Sequence, residues 1–148
     1  MKLKTFRGKL TAIDQEEDIT EIRLSTNNGL MGYTVKKFAV IGPDASENIE
    51  GVVKVFTIKP SGTPNQNINF DDPTLLAVAT ISQSSTDQTN PNDQLVIFDS
   101  MVFNQDIYIY NVGGDYTASL NYYLELEQVK LNSDEATVAT LKDMRGRE

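Results

Sequence analysis

Glu125 and Glu127 stand two residues apart in "NYYLELEQ", a spacing that in a strand sets both carboxylates on one face, about 7 Å apart. Paired acids at roughly that separation are the working parts of glycosidases. Other catalytic groups are scarce. The chain has no His and no Cys, which removes Ser-His and Cys-His nucleophile pairs, imidazole general bases and thiolate metal sites. Acid pairs on a solvated strand face are common, and no neighbouring residue is built to raise one pKa. The pair is therefore read as structural, with a carboxylate-dependent hydrolase kept as a third reading. No cofactor is implied.

Two acidic loops have the donor type that Ca²⁺ takes, "DQEED" (Asp14 to Asp18) and "FDDP" (Phe70 to Pro73). Neither has the alternating acids and Gly of an EF-hand loop, so both are read as solvated turns and no metal site is expected. Tyrosines gather in the last third: Tyr108, Tyr110, Tyr116, Tyr122 and Tyr123. A tyrosine ring supplies rigid apolar area and a polar tip, which suits subunit contacts and sugar platforms. Gly113 and Gly114 in "NVGGDY" precede no helix, so a phosphate cradle fails and a hairpin turn is expected.

The elements that must position these groups are strands. "TFRGKLTAI", "ITEIRLS", "YTVKKFAVI", "GVVKVFTIK", "LLAVATI", "QLVIFDS", "DIYIYN" and "SLNYYLELEQVKL" are rich in β-branched and aromatic residues, and turn residues separate them. In "DIYIYN", Ile107 and Ile109 take one face, Tyr108 and Tyr110 the other. Eight strands with no helix between them predict an all-β chain, a single antiparallel β-sandwich over residues 1–148. A jelly roll of two four-stranded sheets is the leading topology. Two connections, 60–73 and 82–93, are long enough to be functional.

The apolar phase of the last strand changes from Tyr122, Leu124 and Leu126 to Val129 and Leu131. That flip predicts a bulge, or an end that faces a different layer. A helix over 133–145 follows. Asn132 and Glu135 form a capping box, Leu131 can staple onto Ala136, and Asp134 and Glu135 begin the helix. Lys142, Arg145 and Gly146 end it. Its apolar stripe is Val138, Leu141 and Met144, and a helix this short must dock on its own sandwich or on a neighbouring subunit.

Charge limits the partners. The 148 residues carry a net charge of −8, and between Lys59 and Lys130 lie nine carboxylates and no cation. A basic surface for phosphate backbones cannot form there, so nucleic acid is not an expected partner. No apolar run reaches the roughly 18 residues of a membrane span or the length of an export signal, which predicts cytoplasmic synthesis without a membrane partner.

The second half carries a resemblance. Asp106, Ile107, Tyr108 and Ile109, then Asn121, Tyr122, Tyr123, Leu126 and Glu127, then Ser133, Asp134, Glu135 and Ala136 match an "xDxYI" strand, an "NYYxxLE" strand and an "SDxEA" helix. In this order they resemble small virion proteins of uncultured marine bacterial viruses, over residues 95–146. The resemblance implies a non-enzymatic virion structural protein (capsid, capsid-decorating or tail-associated subunit), made in the host cytoplasm and located in the virion. It would assemble with itself and with other virion proteins. Interface candidates are Tyr108, Tyr110, Tyr123, Val138, Leu141 and Met144. The alternative is a carbohydrate-binding or host-recognition β-sandwich module that takes a glycan on its Asn- and Asp-rich loops beside Tyr108, Tyr110 or Tyr116.

Overall fold

A computed structural model describes residues 2–11, 17–24, 29–44, 49–60, 67–83, 94–98, 100–113 and 119–144. Its strands are β1 (Lys2–Leu10), β2 (Glu17–Ile22), β3 (Met31–Ile41), β4 (Ile49–Phe56), β5 (Leu75–Gln83), β6 (Gln94–Ile97), β7 (Ile107–Gly113) and β8 (Leu120–Lys130). Helix α1 (Ser133–Met144) follows them. All eight expected strands are present.

The strands form two antiparallel sheets, β1-β8-β3 and β2-β7-β4-β5-β6. The pairs β1–β8, β2–β7 and β4–β5 are nested, as if one long hairpin had been rolled up, which is the jelly-roll connectivity. The fourth nested pair, β3–β6, does not form, and Tyr33 of β3 instead bridges Phe103, beyond the end of β6, through backbone bonds of 2.8 and 3.0 Å. Strand β6 pairs with β5 instead, from Ala77–Ile97 to Thr80–Gln94. The sheets therefore hold three and five strands, not four and four.

This connectivity corrects the reading of "NVGGDY". Strand β7 pairs with β2 and β4 while β8 pairs with β1 and β3, so the strands that flank this segment form no hairpin; Gly114 lies outside the described residues. The consecutive strands that do pair, β4–β5 and β5–β6, are those joined by the two long connections.

The core lies between the sheets. Val35, Phe38, Leu120, Leu124 and Leu126 from the small sheet meet Val53, Val55, Ala77, Ile107 and Ile109 from the large one, all buried. Period-two alternation decides which side chains go there, and Ile107 and Ile109 face inward as expected. Strand β1 is the exception. Leu10 is buried and Phe6 half-buried, but the remainder is exposed, with Lys2, Lys4, Arg7 and Lys9 along a free edge. Cations on an edge strand discourage further strand pairing.

Strand β8 itself has no bulge: its register with β1 is unbroken, and the slip in its pairing with β3, between Val35 and Lys37, puts the extra residue in β3. Beyond it, a Cβ placed on Gly32 would come within 3.0 Å of both Leu131 Cδ1 and Val102 Cγ1. The end of β8 thus packs against the 102 segment, outside the inter-sheet core.

Candidate functional site

The outer face of the five-stranded sheet carries a row of directly opposed residues, Ile19, Tyr110, Lys54, Val78 and Val96. Lys54 sits at its centre and is only 6% exposed. The alternation of "GVVKVF" turns it outward, and the connection after β4 then folds back over it. Its ammonium donates to the Asn67 carbonyl and lies 5.6 Å from the centroid of the Tyr110 ring. Tyr110 meets Phe56 edge to face at 6.2 Å. A cavity of about 510 Å³ opens beside this group, lined by the polar Asn67, Asn69, Asp72 and Lys59 and by the apolar Ile58, Pro60 and Leu75. That volume lies within the range of small-ligand sites.

Burial lowers the Lys54 pKa from the ordinary lysine value of 10.5, and the charge of Asp72 opposes the shift. A lysine whose folded pKa is depressed holds fewer protons than the unfolded chain between the two values. Its penalty is therefore in full force below the folded pKa and fades as pH rises toward 10.5. Lys54→Met is expected to stabilise the chain by about 1 kcal/mol at neutral pH. Urea titrations of both proteins should show that gain shrinking at alkaline pH.

The acidic loops are used locally. Asp72 Oδ1 accepts from Thr74 N at 2.8 Å and Thr74 Oγ1 at 2.6 Å, a turn that fixes the cavity wall. Asn69 Oδ1 accepts from Asp71 N at 3.0 Å. In the other loop Asp18 Oδ2 accepts from Thr11 N at 2.8 Å, and residues 14–16 lie outside the described ones. Among the described residues no three acidic side chains converge. Glu125 and Glu127 share the outer face of the small sheet. The first accepts from Tyr123 Oη at 3.1 Å, and the second pairs with Lys36 at 3.0 Å. The hydrogen bond to Glu125 raises the Tyr123 pKa above 10.0.

The second feature is α1. Asn132 Oδ1 accepts from Glu135 N at 2.8 Å, as a capping residue should. The Glu135 carboxylate returns to the Asn132 side-chain amide, whereas a capping box would use the backbone N–H. The edge that docks is not the expected one. Ala136 and Ala139 are buried, at 5% and 7%, while Val138 and Leu141 are 65% and 60% exposed. The Met144 side chain, Arg145 and Gly146 lie outside the described residues.

Asn104 explains this docking. Fully buried, it donates through Nδ2 to Gly29 O at 3.0 Å, Ala136 O at 3.2 Å and Thr140 Oγ1 at 2.7 Å. Small residues at 136 and 139 let the helix backbone come close enough for these bonds. Gly29 has a φ of 65°, and a Cβ there would lie 3.0 Å from Asn104 Nδ2. Gly29→Ala is expected to cost about 1–2 kcal/mol, read as a lower thermal midpoint.

Of the interface candidates, Tyr110 is buried on the outer face of the large sheet, and Tyr108 is half-buried opposite Phe56. Tyr123 is half-buried on the outer face of the small sheet, 5.7 Å from the Lys37 ammonium. Only Val138 and Leu141 are well exposed. Sequence reasoning missed Lys54 and Asn104; a lysine centred in an apolar strand was the available signal for the first. Tyr116 lies outside the described residues. Asp106 of the resemblance motif has a structural use: its Oδ1 accepts from the distant Leu24 N at 2.8 Å.

No family model matches the chain, and no curated protein does. Among solved structures, a lectin from Bauhinia forficata in complex with GalNAc aligns with 88% of this chain and 93% of its own. The identity is 9% and the TM-score 0.25, a likeness that carries no argument about fold or function.

Proposed function

We propose that the chain is a non-enzymatic structural subunit of a virus particle, in the capsid, decorating it or in the tail, and that it works by self-assembly. The observation that carries this reading is the exposed pair Val138 and Leu141, one turn apart on a helix already fixed to its sandwich through the opposite edge. Two large apolar side chains held rigidly in water suit burial against another copy. Charge favours the same partner. Exposed Lys2, Lys4, Arg7 and Lys9 line one edge, and exposed Asp134 and Glu135 open the helix, so copies can meet head to tail. Other virion proteins are further partners; nucleic acid and membrane are not.

Size-exclusion chromatography with light scattering tests it. The wild type should form a defined oligomer or particle, and Val138→Asp with Leu141→Asp should weaken association about 100-fold or more while the far-ultraviolet spectrum is retained. A wild-type monomer at high concentration that binds no particles would sink the proposal. The second reading, a carbohydrate-binding module, is favoured by the cavity beside Tyr110. A glycan array with and without Ca²⁺ tests this second reading directly.

A further inference from the structure

We propose that the cavity over Lys54 binds a carboxylate-bearing sugar unit, of the uronic or sialic acid class, with its acid group on the Lys54 ammonium and its ring against Phe56 and Tyr110. This rests on the carbohydrate-binding reading only in taking the cavity as a sugar site; the acid requirement comes from the site's own chemistry.

Among the described residues the buried ammonium has no carboxylate within ion-pair distance, and Asp72 acts on it only from farther off. The salt bridge among the described residues joins Lys36 to Glu127, and Lys54 instead meets a neutral carbonyl and the face of a phenol ring. An ammonium has three donors, so a single carbonyl leaves two for an incoming acceptor. A buried charge whose counter-charge stands off is costly, and a carboxylate in direct contact would offset it. The cavity lining holds two cations, Lys54 and Lys59, against one carboxylate, Asp72. Asp72 is also partly committed, since its Oδ1 already holds Thr74. A net positive lining in a chain of net charge −8 marks a place for an anion.

A bare inorganic anion would leave most of the cavity unused. Its volume of about 510 Å³ admits a sugar unit with room for linkage, and its lining holds both apolar and polar side chains. Phe56 and Tyr110 offer apolar surface for the C–H face of a pyranose. The side-chain amides of Asn67 and Asn69 and the carboxylate of Asp72 meet hydroxyls at the rim. The carboxylate fixes the orientation, and the loop from Asn67 to Thr74 supplies the fit.

Isothermal titration with the full chain tests this against methyl glucuronoside, methyl α-sialoside, methyl glucoside, acetate and inorganic phosphate. An acidic sugar should bind at least about tenfold more tightly than methyl glucoside, the effect of one charge-assisted hydrogen bond. Lys54→Met should remove that preference while the protein stays folded. Lys59→Ala, at an exposed rim position, should weaken binding about two- to threefold. Equal binding of neutral and acidic sugars overturns the carboxylate assignment and leaves the carbohydrate reading standing. Acetate or phosphate binding as tightly as the acidic sugars reduces the site to a simple anion hole and also overturns it. No sugar binding up to about 10 mM removes both.

Discussion

Replacing Asn104 with leucine is expected to destabilise the chain by about 2–4 kcal/mol and to release α1 from the sandwich. The two side chains are close in volume, so the change removes donors and creates no cavity. Lost are the bonds to Gly29 O, Ala136 O and Thr140 Oγ1, three acceptors served by the two protons of one amide. The Asn104 site is fully buried, so no water replaces the lost donors. A helix of 12 residues is marginal alone, and Ala136 and Ala139 contribute little apolar area, so these bonds hold the element in place. Hydrogen exchange should show the α1 amides losing protection while those of β4 and β7 keep theirs. Thr140→Val removes one acceptor and should cost about 1 kcal/mol with the helix still docked. Unchanged protection of α1 in the leucine variant would contradict this account. Because the proposed assembly surface needs a fixed helix, oligomerisation should fall with it.

Asn104 also shows where sequence reading stops. Its partners lie 75, 32 and 36 residues away, and no local pattern marks an Asn in "VFNQD" as the meeting point of a loop, a strand bridge and a helix. The helix itself was legible from Asn132 and Glu135, because capping is local chemistry. Its docking edge was not. A stripe search weights Val138, Leu141 and Met144 by size, whereas the contact is made by alanines that allow close backbone approach. All eight strands could be read because alternation within a strand depends on its own residues. The division into three and five strands depends on whether β6 pairs with β5 or β3, a choice between distant partners. Lys54 is the same problem at the site. Alternation puts it on the face away from Val53 and Val55, but nothing in the strand itself shows that this face is covered. Only the return of the chain at Asn67 turns that surface into a cavity.

Asn111→Leu is expected to stabilise the chain by about 1–3 kcal/mol, a rise in thermal midpoint of about 2–4 °C for each kcal/mol. Asn111 follows Ile107 and Ile109 on the inward face of β7, opposite Val53 of β4 and Asp18 of β2. It is 1% exposed, and among the described residues neither Nδ2 nor Oδ1 has a hydrogen-bond partner. Each atom left its water partners on folding and gained nothing in return, so the amide carries a desolvation cost that a leucine of similar volume would not. The backbone ladder of β7 is untouched by the exchange. Asn111→Ala separates the two contributions, since it removes the same polar atoms but leaves a cavity, and its midpoint should stay near that of the wild type. If leucine instead lowers the midpoint, the amide must be satisfied in solution and its cost is not there to recover. A gain without any change in oligomeric state would place the cost inside the sandwich, separate from the contacts made by Val138 and Leu141.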